Sequence, residues 1–213
     1  MRLKAINGEY DGIFSLGELC LSSIQLERCG LRPFAGPLDW MSTPALADVN
    51  RLLANRFEGF MNRDHLLYVQ HASDKLLLVR EQLYNAFSNH DFFVHRNHPD
   101  LLEDYPAVKA KYDRRIARFL DKAETGRRLL FVRCGGSLEE AEGLQQVLSG
   151  LVKHDFRVLL VNHTSANTLT ETDWPLERVC SVELPGDPDV IWGGNNAFWD
   201  RMLSGITSTG SLQ

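Results

Sequence analysis

A thiol at the start of a helix can act as a nucleophile. The unpaired N–H groups and the positive end of the helix dipole favour the thiolate, and the same N–H groups can hold an oxyanion. Cys20 has that address in "FSLGELCLSSIQLERCG", where an apolar run ends at Gly17 and apolar residues then recur at helical spacing. With an imidazolium nearby, its pKa is expected to fall below the ordinary value of about 8.5. The plain alternative is a small apolar residue filling a core. Cys134 in "FVRCGGS" has a similar address beside Arg133, and its two glycines could cradle a phosphate or simply turn the chain at a strand end. A nucleophilic thiol needs a base, and His65, His71, His90, His95, His98, His154 and His163 supply candidates. Read as a strand, "NHDFFVHRNH" points His90 and His95 to opposite faces, so only one of them can serve a given site.

These side chains need elements to position them. "GIFSLG" (Gly12 to Gly17) reads as a buried strand, and "ELCLSSIQLERCG" as a helix with Leu19, Ile24 and Leu26 inward and Gly30 as its C-cap. After the irregular "LRPFAGPLDWM", Thr43 before Pro44 predicts the N-cap and first residue of a second helix. Residues 63 to 96 hold the strand-like runs "HLLYV", "KLLLVR" and "HDFFVHR", an antiparallel or mixed section of sheet. "PAVKAKYDRRIARFLDKAET", Pro106 to Thr125, is amphipathic through Val108, Tyr112, Ile116, Phe119 and Leu120 and stops at Gly126. The second half alternates "RRLLFVRC" strand, "SLEEAEGLQQVLSGLVKH" helix with a Ser137/Glu140 capping box, "FRVLLVNH" strand and "RVCSVEL" strand. The expectation is α/β: one compact domain over residues 1–213, a mixed β-sheet with helices packed on it, and a disordered tail from about residue 205.

Composition narrows the function. A chain of 213 residues with 44% hydrophobic content can bury one substantial core, and a net charge of -5 without a basic stripe excludes the usual nucleic-acid binder. No apolar run reaches the length of a signal peptide core or a membrane span, so a cytoplasmic protein is expected. Cys20, Cys29, Cys134 and Cys180 form no CxxC pair and no short Cys/His spacing, so neither a zinc site nor a redox dithiol is expected.

Five segments carry a resemblance: "SLGELC" with its helix, "CGLRPFAGPLDW", "NHDF", "YDRRIARFL" and "LLFVR", in that order from Phe14 to Arg133. In these the chain resembles a bacterial family of papain-like cysteine peptidases, long classed as a domain of unknown function, with Leu38 where that family tends to carry phenylalanine. The resemblance implies Cys20 as nucleophile and His90 as its base, in the Cys-then-His order of papain-like enzymes. It implies Asp39 of "LDW" as the group that orients the imidazole, with Asn162 as the competing choice because papain-like triads place that residue after the histidine. A papain-like Cys-helix and His-strand arrangement is then expected inside the α/β domain, with His95 as the fallback base.

Two functions follow. One is a cysteine hydrolase or acyl transferase acting on an amide or thioester of a small-molecule or peptide substrate, with no nucleic acid or membrane partner. It requires no metal or other cofactor, and coenzyme A enters only if the acyl group is passed to or from that carrier. The alternative is a non-catalytic module that binds a carbohydrate or nucleotide on "VIWGGNNAFW", stacking it on Trp192 and Trp199 with Asn195 and Asn196 between them. The competing structural role for those tryptophans is burial.

Overall fold

The computed structural model describes residues 1–209. In chain order these form β1 (Gly8–Tyr10), β2 (Gly12–Ser15), α1 (Leu21–Arg28), β3 (Met41–Ser42), α2 (Leu46–Ala54), β4 (Leu66–Ser73), β5 (Leu76–Glu81), β6 (Ala86–Ser88), α3 (Tyr105–Thr125), β7 (Arg128–Cys134), α4 (Leu138–Leu151), β8 (Asp155–Thr164), β9 (Thr170–Thr172), β10 (Val179–Pro185), α5 (Pro188–Ile191), α6 (Asn196–Leu203) and β11 (Ile206–Ser208).

The continuous apolar runs form the centre of one α/β domain. Strands β2, β7, β8 and β10 lie parallel, in that order, and β9 closes the edge antiparallel to β10. Because successive strand residues point to opposite faces, Leu129 and Phe131 meet the core beneath α2, α3 and α4, whereas Leu130, Val132 and Cys134 meet the core beneath α1 and α6. Phe14 of β2 packs edge-on to Phe119 of α3, with ring centroids 4.7 Å apart, and this contact fixes the strand that leads to Cys20. A second sheet, ordered β3-β6-β5-β4, is antiparallel throughout. It carries the chain from the Asp-Trp segment to His90.

Local chemistry explains the ends. Helix α1 stops in a Schellman motif: Gly30 at φ 70° gives its N–H to Glu27, and the Leu31 N–H reaches Leu26. Helix α4 starts with the expected capping box, in which Ser137 accepts from the Glu140 N–H while the Glu140 side chain accepts from the Ser137 N–H.

Four expectations change. Helix α2 begins at Leu46 rather than at Pro44, because Thr43 is claimed elsewhere: its hydroxyl and carbonyl take the buried Arg133 guanidinium at 2.5 and 2.7 Å. "HDFFVHR" is not a strand. It runs beside β5 through the Leu77 N–H to Phe92 O and Val94 N–H to Lys75 O bonds, with one bridge at Leu76 and Phe93, and then turns. Leu19 precedes α1 and is 38% exposed instead of facing the core. Of the tail expected to be disordered, Ile206–Ser208 pairs in parallel with β1, and residues 210–213 lie outside the described residues.

Candidate active site

Cys20 sits at the junction between β2 and α1, one residue before the helix begins. The intervening turn is shaped by Gly17, whose φ of 80° suits glycine and where a Cβ would collide with Thr43 Oγ1. Beneath this turn lies Arg133, 1% exposed, donating to the carbonyls of Leu16, Thr43 and Gly135. Burial lowers its pKa to about 10. One buried side chain therefore ties the approach to Cys20, the segment after Trp40 and the end of β7.

The thiol meets an imidazole. Cys20 Sγ lies 3.3 Å from His90 Nε2, a hydrogen-bonding separation for sulfur. His90 reaches this position from a bend just past β6, so the parity argument built on a strand does not apply. The exposed His95 instead lies against Phe93, with ring centroids 5.7 Å apart.

One contact meets the imidazole itself, and a second set holds the loop that carries it. Trp40 meets the ring edge-to-face at 5.4 Å, and the Arg32 guanidinium lies 5.3 Å from the centroid of that tryptophan. On the far side the next residue, Asp91, is buried and accepts from Tyr112 Oη at 2.7 Å, from Ser88 Oγ and from Lys111 Nζ. Burial, reinforced by the Asp91 charge, keeps the Tyr112 phenol protonated well above its usual range. Asp91 thus anchors the His90 loop to α3. Sequence reasoning misses it, although a carboxylate directly beside a candidate histidine is a visible signal.

Asp39 is 1% exposed, but its carboxylate goes to Arg32 Nη1 at 2.9 Å and the Gly36 N–H at 2.8 Å. Its pKa is raised by burial and pulled back by Gly36 and Arg32. Asp39 therefore braces the Pro/Gly loop and holds the guanidinium that touches Trp40. Ser23 links this loop to the nucleophile, its hydroxyl lying 2.8 Å from the Cys20 carbonyl and 2.5 Å from the Asp39 carbonyl. With one hydrogen it can serve only one of the two at a time. Asn162 is also committed elsewhere, since its amide pairs with both the N–H and the carbonyl of Gly136 at 3.0 Å. The hydrogen bonds of Asp39 and Asn162 go to these partners and not to His90.

The expected depression of the Cys20 pKa is not met. Burial pushes the thiol up, its own backbone N–H pulls it down, and the Glu18 carboxylate pushes it up again. An upward shift favours the thiol over the thiolate, so a base beside it assists attack. Cys134 is further from ionising: it is 5% exposed, and burial takes its pKa to about 12. The glycines after it offer no phosphate cradle, because Gly135 N–H goes to Val161, Gly136 N–H to Asn162 and Ser137 N–H to Glu140. Among the described residues no His, Cys, Asp or Glu cluster of three or more could hold a metal ion, and no helix is long and apolar enough to cross a membrane.

The expected aromatic platform does not form. Trp199 is fully buried in the core beneath α6, Asn195 is buried and donates to Pro185 O, and Asn196 accepts from Gln25. Trp192 alone is exposed, at 50%.

Comparison with known proteins gives the kinship. An uncharacterized protein of Acanthamoeba polyphaga mimivirus is 27% identical over 133 residues, which cover 56% of this chain and 59% of that relative. This relative is viral, so the bacterial source implied by the resemblance has no support from it. No solved structure matches. The model of the family described as "Putative papain-like cysteine peptidase (DUF1796)" matches residues 11–166, a span that contains Cys20, Asp39, His90 and Asn162, and the chain belongs to that family.

Proposed function

We propose that the protein is a cysteine-dependent acyl hydrolase or acyl transferase of the peptidase and amidase type, with Cys20 as nucleophile and His90 as general base. The observation that carries this reading is the 3.3 Å approach of Cys20 Sγ to His90 Nε2 at the mouth of a helix. His90 Nε2 takes the thiol proton as Sγ bonds to the carbonyl carbon, whose electron pair moves to oxygen. The tetrahedral species collapses, the leaving amine or thiol takes the proton from the imidazolium, and an acyl-Cys20 thioester remains. Water completes a hydrolysis. A second amine, alcohol or thiol completes a transfer, and coenzyme A is one candidate carrier. The upward shift of the Cys20 pKa supports this base-assisted order.

The test is trapping of the acyl-enzyme. Incubation with an activated acyl ester, followed by peptide mapping, should place the acyl group on Cys20. The adduct should disappear in Cys20→Ser, and its rate should fall about 100-fold or more in His90→Ala. An adduct on Cys29, Cys134 or Cys180 in preference to Cys20 would refute the assignment.

A further inference from the structure

A cleft of about 220 Å³ opens alongside Cys20, lined by Glu18, Leu19, Leu21, Cys134, Gly135, Asn162, His163 and Ile191. Three of these lie within two residues of the thiol in the chain. Others stand at the C-terminal ends of the parallel strands β7 and β8, where open α/β sheets hold their ligands. The apolar part comes from Leu19, Leu21 and Ile191.

Its polar part is one-sided. Glu18 is the charged residue of the lining, and among the described residues no cation comes within salt-bridge distance of it. One of its carboxylate oxygens takes only a long share, 3.3 Å, of a Thr43 N–H that the Glu18 carbonyl already accepts at 2.8 Å. Arg133, the buried cation behind the turn, gives its hydrogens to Leu16, Thr43 and Gly135 instead. His163 belongs to the same lining, with its Nε2 buried and without a hydrogen-bond partner. Burial keeps that ring neutral, so it adds no positive charge. The backbone amides of the Gly135–Gly136 turn are all taken, so that turn offers an anion no donors.

Resting on the reading of Cys20 as the nucleophile, we infer that this cleft is the substrate subsite of the enzyme and that it selects acyl substrates carrying a protonated amine near the scissile carbonyl. The ammonium group would pair with Glu18, while its methylenes lie against Leu19, Leu21 and Ile191. Such a substrate would also help its own reaction. The Glu18 carboxylate opposes ionisation of Cys20, and an ammonium beside it cancels that opposition, so the thiol becomes easier to deprotonate once the right substrate is bound.

The experiment uses three thiol reagents of similar size: aminoethyl, propyl and sulfonatoethyl methanethiosulfonate, which are cationic, neutral and anionic. Each transfers its thioalkyl group to a thiolate and releases methanesulfinate. Rates on Cys20 are read by peptide mapping of the whole protein and divided by the rate of the same reagent with 2-mercaptoethanol. The cationic reagent should outrun the anionic one by about tenfold or more, as expected for one nearby charge at intermediate dielectric. The preference should collapse in Glu18→Gln, which keeps an oxygen for the Thr43 N–H. Cys29, beside Asp200, is read in the same digest and reports how much preference comes from the general acidity of the chain. Fast labelling of Cys20 by all three reagents without charge preference, or a preference that survives in Glu18→Gln, overturns the subsite and leaves the nucleophile standing. Failure of every reagent to label Cys20 ahead of Cys29 overturns both.

Discussion

Two neighbouring strands, β2 and β7, each run into a glycine-bearing turn with a cysteine and then into a helix, yet their thiols have opposite fates. In the first, the glycine precedes the cysteine, so the chain has already turned and Cys20 stands at the helix entrance facing His90. In the second, the glycines follow, so Cys134 is still the last residue of the strand and shares a face with Leu130 and Val132. The helix entrances differ as well. That of α4 is closed by its capping box, whereas α1 has no side-chain cap. Order within a turn, more than the kinds of residue in it, separates a reactive thiol from an inert one.

The largest expected effect tests that contrast directly. In native protein at neutral pH, iodoacetamide should label Cys20 at least about a thousandfold faster than Cys134, which is 5% exposed and whose pKa burial raises to about 12. A pH series sharpens it. Because burial and Glu18 raise the Cys20 pKa, its alkylation rate should continue to climb above the ordinary cysteine range of about 8.5, and Glu18→Gln should move the midpoint to lower pH. A midpoint in the mildly acidic range, or equal labelling of Cys134, would erase the distinction between the two turns. The pH dependence of stability should bear the mark of the second turn. The Cys134 pKa of about 12 exceeds its unfolded value, so its contribution is complete below about pH 8.5 and is lost as pH rises toward 12.

The next effect separates two carboxylates that flank the site. Asp39→Asn removes the charge facing Arg32 at a buried position and should cost about 2–3 kcal/mol in urea unfolding, with Cys20 labelling changed less than about twofold. Asp91→Asn should cost a similar amount, because it weakens the bonds from Lys111, Tyr112 and Ser88. It should also slow Cys20 labelling about tenfold, because the loop that holds His90 loosens. Equal effects on labelling would show that the His90 loop does not depend on its anchor in α3.

Most of the scaffold was legible in the sequence, because buried parallel strands and capped helices carry local signatures. "RRLLFVRC" and "FRVLLVNH" announce strands covered on both faces, and Ser137 with Glu140 announces a helix start. Cys20 was legible as a thiol at a helix start, but its pairing with His90 was legible only through the resemblance, since no spacing rule joins residues 70 apart. What failed depended on long-range claims. Thr43 looks like an N-cap until Arg133, 90 residues later, takes its oxygens, and "HDFFVHR" looks like a strand until Asp91 is drawn to α3. The hydrogen-bond partners of Asp39 and Asn162 were equally hidden: Gly36 and Arg32 for one and Gly136 for the other, which neither the "LDW" signature nor the order of a papain-like triad reveals.

The smallest effect probes the closed entrance of the second turn. Ser137→Ala deletes the acceptor for the Glu140 N–H and leaves the Glu140 carboxylate holding the backbone N–H at that position alone, a loss of about 1 kcal/mol in thermal or urea unfolding. Glu140 also accepts from the Ala47 N–H, and its backbone carbonyl takes the Asn50 amide, so the substitution loosens the seam between α2 and α4. That seam lies on the opposite face of the sheet from α1. The Cys20 labelling rate in the folded protein should therefore be unchanged within about twofold, and only labelling that passes through unfolding, at Cys134, should accelerate, by about fivefold for that loss of stability. A change at Cys20 as large as that at Cys134 would mean that the two turns are coupled through Arg133 and do not behave as separate local structures.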